Sequence, residues 1–270
     1  MNSPTLPSQA LRIGLFDSGV GGLSVLRALQ ALAPHAELLY VADSGHAPYG
    51  ERDDAFVQQR SLHVAQFLRE QGVQVLVVAC NTATASAVAL LRHTHADLPI
   101  VGVEPGIKPA VAISRNGRIG VLATEGTLRS EKFRRLMHRH AGTAQLHLQP
   151  CPGLALTIEQ GDLDGPQVQA LVARFCEPLR RHQVDTVVLG CTHYAFVARH
   201  IQAALGDDVR LIDTADAVAR QALAQCPPRS AAAVPPGRVQ LWTTADAAAL
   251  QRIAQRWLPF GTHVAALPAA

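Results

Sequence analysis

The chain has 270 residues, of which 48% are hydrophobic and 17% charged, so it can bury a sizeable core and global disorder is excluded. This length suits one large α/β domain or two smaller ones. The formal net charge is only +3, with two lysines and no basic run, so nucleic acid is not an expected partner.

Short runs rich in Val, Ile and Leu alternate with longer amphipathic segments. The runs predict strands buried on both faces of a parallel sheet at Ile13–Phe16, Leu38–Ala42, Val73–Ala79, Ile100–Val103, Ile119–Ala123, Thr186–Gly190 and Val209–Ile212. The segments predict helices that include Leu23–Leu32, Asp53–Gln71, Thr127–His140, Gln167–His182 and Ala195–Leu205. A last strand and helix are expected within Arg238–Trp257, and the tail after Pro259 is expected to be poorly ordered. This alternation predicts an open, doubly wound α/β architecture.

The chain also repeats itself. Residues 12–18 resemble residues 118–124, and residues 75–82 resemble residues 186–193, at nearly the same spacing. We therefore expect two similar α/β lobes that face each other, each bringing one cysteine to the space between them.

The predicted location follows from the amino-terminal segment and the cysteines. The segment lacks the pattern of a secretion signal, and no apolar run approaches the roughly 18 to 20 residues of a membrane span. The five cysteines are odd in number and form no CxxC pair. These features predict a cytoplasmic protein without membrane association, whose thiols stay reduced.

Cys80 and Cys191 each follow an apolar strand and precede a predicted helix. Ligands of open α/β sheets bind beyond the carboxyl ends of the strands, so both thiols are expected to face the crevice. Most buried cysteines are inert core residues, but the equivalent positions and polar neighbours of these two favour chemistry. The helix N-termini predict lowered thiol pKa values and a pair held as one thiolate and one thiol.

Two thiols in one cleft are compatible with three chemistries. A disulfide couple lacks a redox motif, and zinc lacks a complete ligand set, so no metal is predicted. Proton transfer on opposite faces of a substrate carbon requires two groups, because a lone base tends to return the proton to the face it left. A thiolate that faces a thiol could therefore invert a stereocentre.

Other polar residues also lie at predicted strand ends and helix starts. Asp17 is expected to bind an ammonium group or to steer a thiol proton, and the glycine pattern after it is not the GxGxxG of NAD-binding loops. Neither lysine has an evident pyridoxal phosphate pocket, so cofactor-free chemistry is predicted. The turn at residues 48–50 could fold over the cleft, and Glu159 and His193 are candidates to hydrogen-bond a thiol. Groups suited to binding carboxylates belong to Ser18, Asn81, Thr82, Thr127 and Thr192.

Several motifs resemble those of bacterial glutamate racemases, in order and with ordinary spacing, from about residue 11 to residue 258. They are residues 16–22, 42–44, 48–50, 79–83, 103–105, 124–127 and 189–194. The resemblance implies a cofactor-independent isomerase that interconverts L- and D-glutamate and supplies D-glutamate for peptidoglycan, and hence for cell wall biogenesis and cell shape. The alternatives are a related two-cysteine racemase acting on aspartate or hydantoin, and a non-catalytic amino-acid sensor.

The resemblance also implies roles for individual residues. Cys80 would take the proton from D-glutamate with help from Asp17. Cys191 would take it from L-glutamate with help from His193, and Glu159 would help on the His193 side. The residues that would hold the substrate are Asp17, Ser18, Tyr49, Gly50, Asn81, Thr82, Thr127, Thr192 and His193.

Family members have two α/β domains, the second inserted into the first, and usually form homodimers. The resemblance implies one lobe of residues 1–103 plus 213–270 and another of residues 104–212, related by a pseudo-two-fold axis with the active site between them. Some members are activated by a UDP-muramoyl-alanine precursor, and for this chain that response stays an open expectation beside its expected partner, glutamate.

Overall fold

The computed structural model describes residues 11–227, 237–259 and 262–268. Within these ranges, strands and helices alternate along the chain. The strands are β1 (Arg12–Asp17), β2 (Glu37–Ala42), β3 (Val75–Val78), β4 (Ile100–Gly102), β5 (Arg118–Ala123), β6 (Gln145–Pro150), β7 (Thr186–Gly190), β8 (Arg210–Ile212), β9 (Val239–Thr243) and β10 (His263–Ala266). The helices are α1 (Leu23–Leu32), α2 (Asp54–Glu70), α3 (Asn81–Thr94), α4 (Ile107–Ile113), α5 (Glu125–Arg129), α6 (Glu131–His140), α7 (Leu154–Glu159), α8 (Pro166–Arg181), α9 (Ala198–Leu205), α10 (Ala215–Ala224) and α11 (Ala247–Trp257).

The strands form two sheets in which every pairing is parallel. The first sheet has the order β10-β9-β2-β1-β3-β4, and the second has the order β6-β5-β7-β8. The order β2-β1-β3-β4 in the first sheet is therefore the order of the whole second sheet, as the repeated sequence predicts. We call the residues around the first sheet the first lobe and those around the second sheet the second lobe. Where the chain passes between the lobes, the predicted boundaries at residues 103 and 213 stay a prediction.

The central strands owe their positions to continuous apolar sequence. All residues of β3 and β7 are buried, and β1 exposes only Arg12. Strands buried on both faces cannot show the alternating pattern of a solvent-facing sheet, so these runs fit the middle of a parallel sheet covered by helices. The doubly wound α/β prediction is thus confirmed.

Three details differ from the sequence prediction. The helix expected over residues 127–140 is two helices, because the backbone at Ser130 is extended and its hydroxyl accepts the N–H of Phe133 at 3.1 Å to begin α6. Strand β6 was missed because it is a partly exposed edge strand in which polar residues alternate with Leu146 and Leu148. The tail after Pro259 was wrongly expected to lack order, because residues 263–266 pair in parallel with β9.

The two lobes pack directly against each other. Side chains from both belong to one hydrophobic cluster, and the ring of Phe196 stacks on that of Trp257 with centroids 4.2 Å apart. This contact brings the carboxyl ends of the two sheets together across a narrow cleft. Among the described helices, none has the length and hydropathy needed to cross a bilayer.

Candidate active site

The two cysteines occupy equivalent positions in the two lobes. Cys80 follows β3, which pairs with β1, and Cys191 follows β7, which pairs with the equivalent strand β5. Both residues have an extended backbone that ends the strand, and their exposed fractions are only 5% and 7%. Parallel strands direct their carboxyl ends to the same edge of a sheet, so the contact between the lobes places both thiols at one cleft.

A short chain of hydrogen bonds connects Cys80 to a carboxylate. The Cys80 thiol donates to Ser18 Oγ at 3.7 Å, and the Ser18 hydroxyl donates to Asp17 Oδ1 at 2.8 Å. The backbone N–H of Ala83, in the first turn of α3, donates to Cys80 Sγ at 3.5 Å. Asp17 therefore reaches Cys80 through Ser18 and not by direct contact.

The prediction of a lowered thiol pKa is wrong for Cys80. Burial raises the pKa of Cys80, and the nearby Asp17 carboxylate and the Cys191 thiol raise it further. The Ala83 N–H and Ser18 act in the opposite direction but are outweighed. The free energy needed to remove a thiolate from water exceeds the stabilisation that one helix N-terminus provides. Cys80 is therefore a neutral thiol at pH 7 in the free protein.

Cys191 lies beside a buried imidazole and carboxylate. Its Sγ is 3.8 Å from His193 Nδ1, and His193 Nε2 is 2.9 Å from Glu159 Oε2. Burial alone would lower the pKa of His193, but its hydrogen bonds with Cys191 and Glu159 and the charge of Asp17 raise it well above the usual value. This order of thiol, imidazole and carboxylate is the arrangement that activates a cysteine.

Glu159 is held from both sides of the cleft. Its Oε2 accepts the backbone N–H of Val20 at 2.9 Å, and its Oε1 accepts the Ser44 hydroxyl at 2.5 Å. Burial raises the pKa of Glu159, but the hydrogen bonds from His193, Ser44 and Val20 outweigh it and leave a net lowering. A Cβ at Gly19 would lie 2.0 Å from Glu159 Oε2, so only glycine leaves room for this carboxylate.

Two of the expected substrate-binding hydroxyls, those of Thr82 and Thr127, form a cluster with Thr124 between the lobes. Thr82 Oγ1 is 3.0 Å from Thr124 Oγ1 and 3.5 Å from Thr127 Oγ1, and the last two are 3.0 Å apart. All three residues are buried, and Gly50 packs so closely on them that a Cβ there would lie 2.6 Å from Thr124 Cβ. Tyr49 lies beside the cluster but donates its hydroxyl to Asp43 at 2.5 Å, so that hydroxyl is committed within the protein.

Asn81 presents an unpaired donor. Its side-chain Nδ2 is buried and has no hydrogen-bond partner among the described residues. Asn81 lines a small pocket together with Cys191 and Thr192. An unpaired buried N–H costs free energy, and a carboxylate ligand would remove that cost.

The structure thus brings every predicted site residue to the facing ends of the two sheets, while their roles stay predictions. Sequence reasoning missed Ser44 and Thr124 as single residues of the site, although both lie inside motifs it had singled out. It also missed Arg60 and its ion pair with Asp43, which anchors the turn that carries Tyr49. Asp43 lies inside the motif of residues 42–44, but nothing in that motif indicated Arg60 as its partner.

A family model described as Asp/Glu/hydantoin racemase matches residues 23–222. The match spans both cysteines, His193 and Glu159. The chain therefore belongs to the Asp/Glu/hydantoin racemase family.

Comparison with individual relatives identifies the kind of racemase within this family. Glutamate racemase of Pseudomonas entomophila is 50% identical over 242 residues, which cover 89% of this chain and 91% of that protein. Glutamate racemase RacE1 from Bacillus anthracis has a crystal structure that matches with a TM-score of 0.85 and 31% identity, covering 97% of this chain and 98% of that one. Escherichia coli glutamate racemase, solved in complex with L-glutamate and the activator UDP-MurNAc-Ala, matches with a TM-score of 0.85 and 31% identity, covering 97% of this chain and all of that one. Within its family the chain groups with the glutamate racemases, and it is an amino-acid racemase.

Proposed function

We propose that this protein interconverts L- and D-glutamate without a cofactor, by proton transfer between Cys80 and Cys191, and so supplies D-glutamate for peptidoglycan. The observation that carries the proposal is the pair of cysteines at equivalent strand ends of two facing lobes, each with its own polar partner. Ser18 and Asp17 serve one thiol, and His193 serves the other.

The two thiols have different neighbours. His193, whose pKa is raised, lies with its Nδ1 3.8 Å from Cys191 Sγ. Cys80, with its raised pKa, keeps its proton until a substrate carbanion takes it. We therefore describe the reaction from L-glutamate, in which Cys191 is the base.

In that direction the Cys191 thiolate removes the α-proton, and the electron pair of the broken C–H bond is delocalised into the α-carboxylate. The planar carbanion then takes the proton of the Cys80 thiol on its opposite face. The products are D-glutamate, a Cys191 thiol and a Cys80 thiolate. D-glutamate reacts by the reverse path. Before another molecule of L-glutamate reacts, proton exchange with water removes the proton from Cys191 and returns one to Cys80.

The groups that bind and stabilise glutamate are donors fixed before it arrives. The unpaired Nδ2 of Asn81 and the hydroxyls of Thr82, Thr124 and Thr127 offer hydrogen bonds to its carboxylates, whose negative charge grows at the α-position in the transition state. The Asp17 carboxylate offers a partner for the ammonium group. Lobe closure around these donors excludes water from the carbanion.

Two further features of the proposal come from the family. We extend to this chain the homodimer usual among glutamate racemases, and we take a UDP-MurNAc-Ala type of activator as a candidate regulator because the E. coli protein carries one. The division into a discontinuous first lobe and an inserted second lobe at residues 104–212 belongs to the same proposal.

The test is incubation with L-glutamate in D₂O while optical rotation and the α-hydrogen are followed together. Loss of rotation with deuterium at Cα of the D-product supports the proposal. Aspartate and a hydantoin, assayed in the same way, should keep their rotation. Glutamate that binds but keeps both its rotation and its α-hydrogen across a wide pH range would identify a sensor and refute the proposal.

A further inference from the structure

The Glu159 carboxylate forms hydrogen bonds with residues of both lobes. Its helix, α7, and its partner His193 belong to the second lobe, whereas Val20 and Ser44 belong to the first. Val20 N–H reaches Oε2 and the Ser44 hydroxyl reaches Oε1, so each carboxylate oxygen is bonded from across the cleft. Among the described residues, Ser44 is the one hydrogen-bond donor to Oε1.

Ser44 lies on a turn that hydrogen bonds fix to the rest of the first lobe. It begins the 3₁₀ turn Ser44–His46, directly after Asp43 at the end of β2. The buried Asp43 carboxylate accepts Arg60 Nη2 at 2.9 Å and Nε at 3.0 Å, and Gly45 N–H donates to Thr244 Oγ1 at 3.0 Å. These bonds fix the turn to the rest of the first lobe, so the serine hydroxyl is placed before the lobes meet.

We propose that Ser44 is a positioning residue for racemisation, which orients the Glu159 carboxylate toward His193 only while the two lobes are in contact. The inference rests on the proposed function, because it requires His193 and Glu159 to serve Cys191. When the lobes separate, the serine hydroxyl leaves with the first lobe and Glu159 keeps His193 alone. The pair of His193 and Glu159 therefore has its full set of hydrogen bonds only in the closed state, in which the substrate is shielded from water.

The other titratable groups that face this pair do not replace the serine. They are Asp17, Tyr40 and Cys191. Asp17 is a second negative charge and repels Glu159, and Tyr40 donates its hydroxyl to the Gly19 carbonyl at 2.5 Å. The Cys191 thiol acts at the substrate in the proposed reaction.

The test compares Ser44→Ala with wild type in both directions of racemisation. We expect kcat to fall about tenfold while KM changes less than about threefold, because the substrate contacts are intact and only an assisting group is disturbed. The acid limb of the kcat profile should move to higher pH by about one unit, since losing a donor raises the pKa of the Glu159 carboxyl, which must be ionised to act. Ser44→Thr keeps the hydroxyl and should restore both values.

The matched control is Ser86→Ala. Ser86 Oγ also donates to a carboxylate at 2.5 Å, that of Asp54, but on the surface and away from the cleft, so kcat and the acid limb should not change. If Ser44→Ala leaves both unchanged, or lowers kcat without moving the acid limb, the inference is wrong although the proposed function stands. If wild type incorporates no deuterium from D₂O, the proposed function itself fails.

Discussion

Thr192 of the second lobe donates a hydrogen bond of 2.7 Å to the fully buried carboxylate of Asp17 in the first lobe. The other oxygen of Asp17 accepts the hydroxyl of Ser18, which in turn contacts Cys80. Thr192 directly follows Cys191, so one carboxylate is connected to both thiol-bearing segments. Burial raises the pKa of Asp17, although His193 and both hydroxyl donors oppose the rise.

Asp17→Asn is expected to raise stability while it lowers activity. The folded pKa of Asp17 lies above its unfolded value of 3.8, so ionising this carboxyl costs folded stability as pH rises through and above that value. An amide oxygen can still accept from Ser18 and carries no charge. At pH 8 we expect unfolding of the variant to require more free energy than unfolding of wild type, and kcat to fall by roughly 10²-fold.

Urea unfolding at pH 8 and pH 4 measures the stability difference, which should shrink at the lower pH as Asp17 takes up its proton. A variant that is less stable than wild type at pH 8 would show that the Asp17 charge stabilises the fold.

Single cysteine variants are expected to separate the two half-reactions. Cys191→Ser should lose α-hydrogen exchange from L-glutamate, and Cys80→Ser should lose it from D-glutamate, because each lacks the base for that enantiomer. Racemisation should fall by at least roughly 10²-fold in both, with glutamate binding and fold retained. Proton NMR in D₂O follows each enantiomer separately.

Cys176→Ser is the control for these variants. Cys176 is buried in α8, and burial raises its pKa to about 12, so it is an inert thiol. Its replacement should leave racemisation unchanged. Normal turnover by either Cys80→Ser or Cys191→Ser would contradict the paired-thiol mechanism.

Arg60→Gln is expected to destabilise the fold by about 3 kcal/mol at pH 7, because it leaves the buried Asp43 carboxylate without its cation. Burial raises the pKa of Asp43, but hydrogen bonds from Arg60 and Tyr49 outweigh it and hold the pKa below 3.8. The stability this pairing gives is therefore present above 3.8 and is lost as pH falls through the lower, folded value.

Urea unfolding between pH 8 and pH 4 checks this expectation. The deficit of Arg60→Gln should shrink toward acid pH, where Asp43 becomes protonated in the variant. Arg69→Gln breaks a comparable pair, with Asp97 at 2.7 Å, but on the surface, so it should cost less than about 1 kcal/mol. If Arg60→Gln costs no more than Arg69→Gln and both costs are below about 1 kcal/mol, the burial of Asp43 adds nothing to its pairing with Arg60.

Gly50→Ala is expected to impair lobe closure. The added Cβ would lie 2.6 Å from Thr124 Cβ, a contact that forces the two lobes apart. We expect kcat/KM to fall by roughly 10²-fold, since a small displacement of the catalytic groups is enough for such a loss. Steady-state kinetics in both directions measures it, and a Tm close to that of wild type shows that the lobes remain folded. Unchanged kcat/KM would mean that closure does not depend on this contact.

The sequence determined the parts of this protein that depend on neighbouring residues. Runs such as Val75–Val78 and Thr186–Gly190 are short, rich in β-branched residues and flanked by helical segments, which predicts buried strands, and the residue after each is then expected at the edge where ligands bind. The repeated pattern then predicted two similar lobes with one cysteine each. The edge strands β6 and β10 escaped prediction because a half-covered strand has a mixed pattern.

Only the tertiary structure decided how the site is connected and charged. The contacts of Glu159 with Val20 and Ser44, and of Asp17 with Thr192, join residues more than a hundred positions apart in the chain. No local pattern specifies such pairs, because they exist only when the two lobes meet. The raised pKa of Cys80 also depends on tertiary structure, since burial comes from packing and the Asp17 charge comes from the pairing of β1 with β3, whereas the sequence displays only the helix N-terminus beside the thiol.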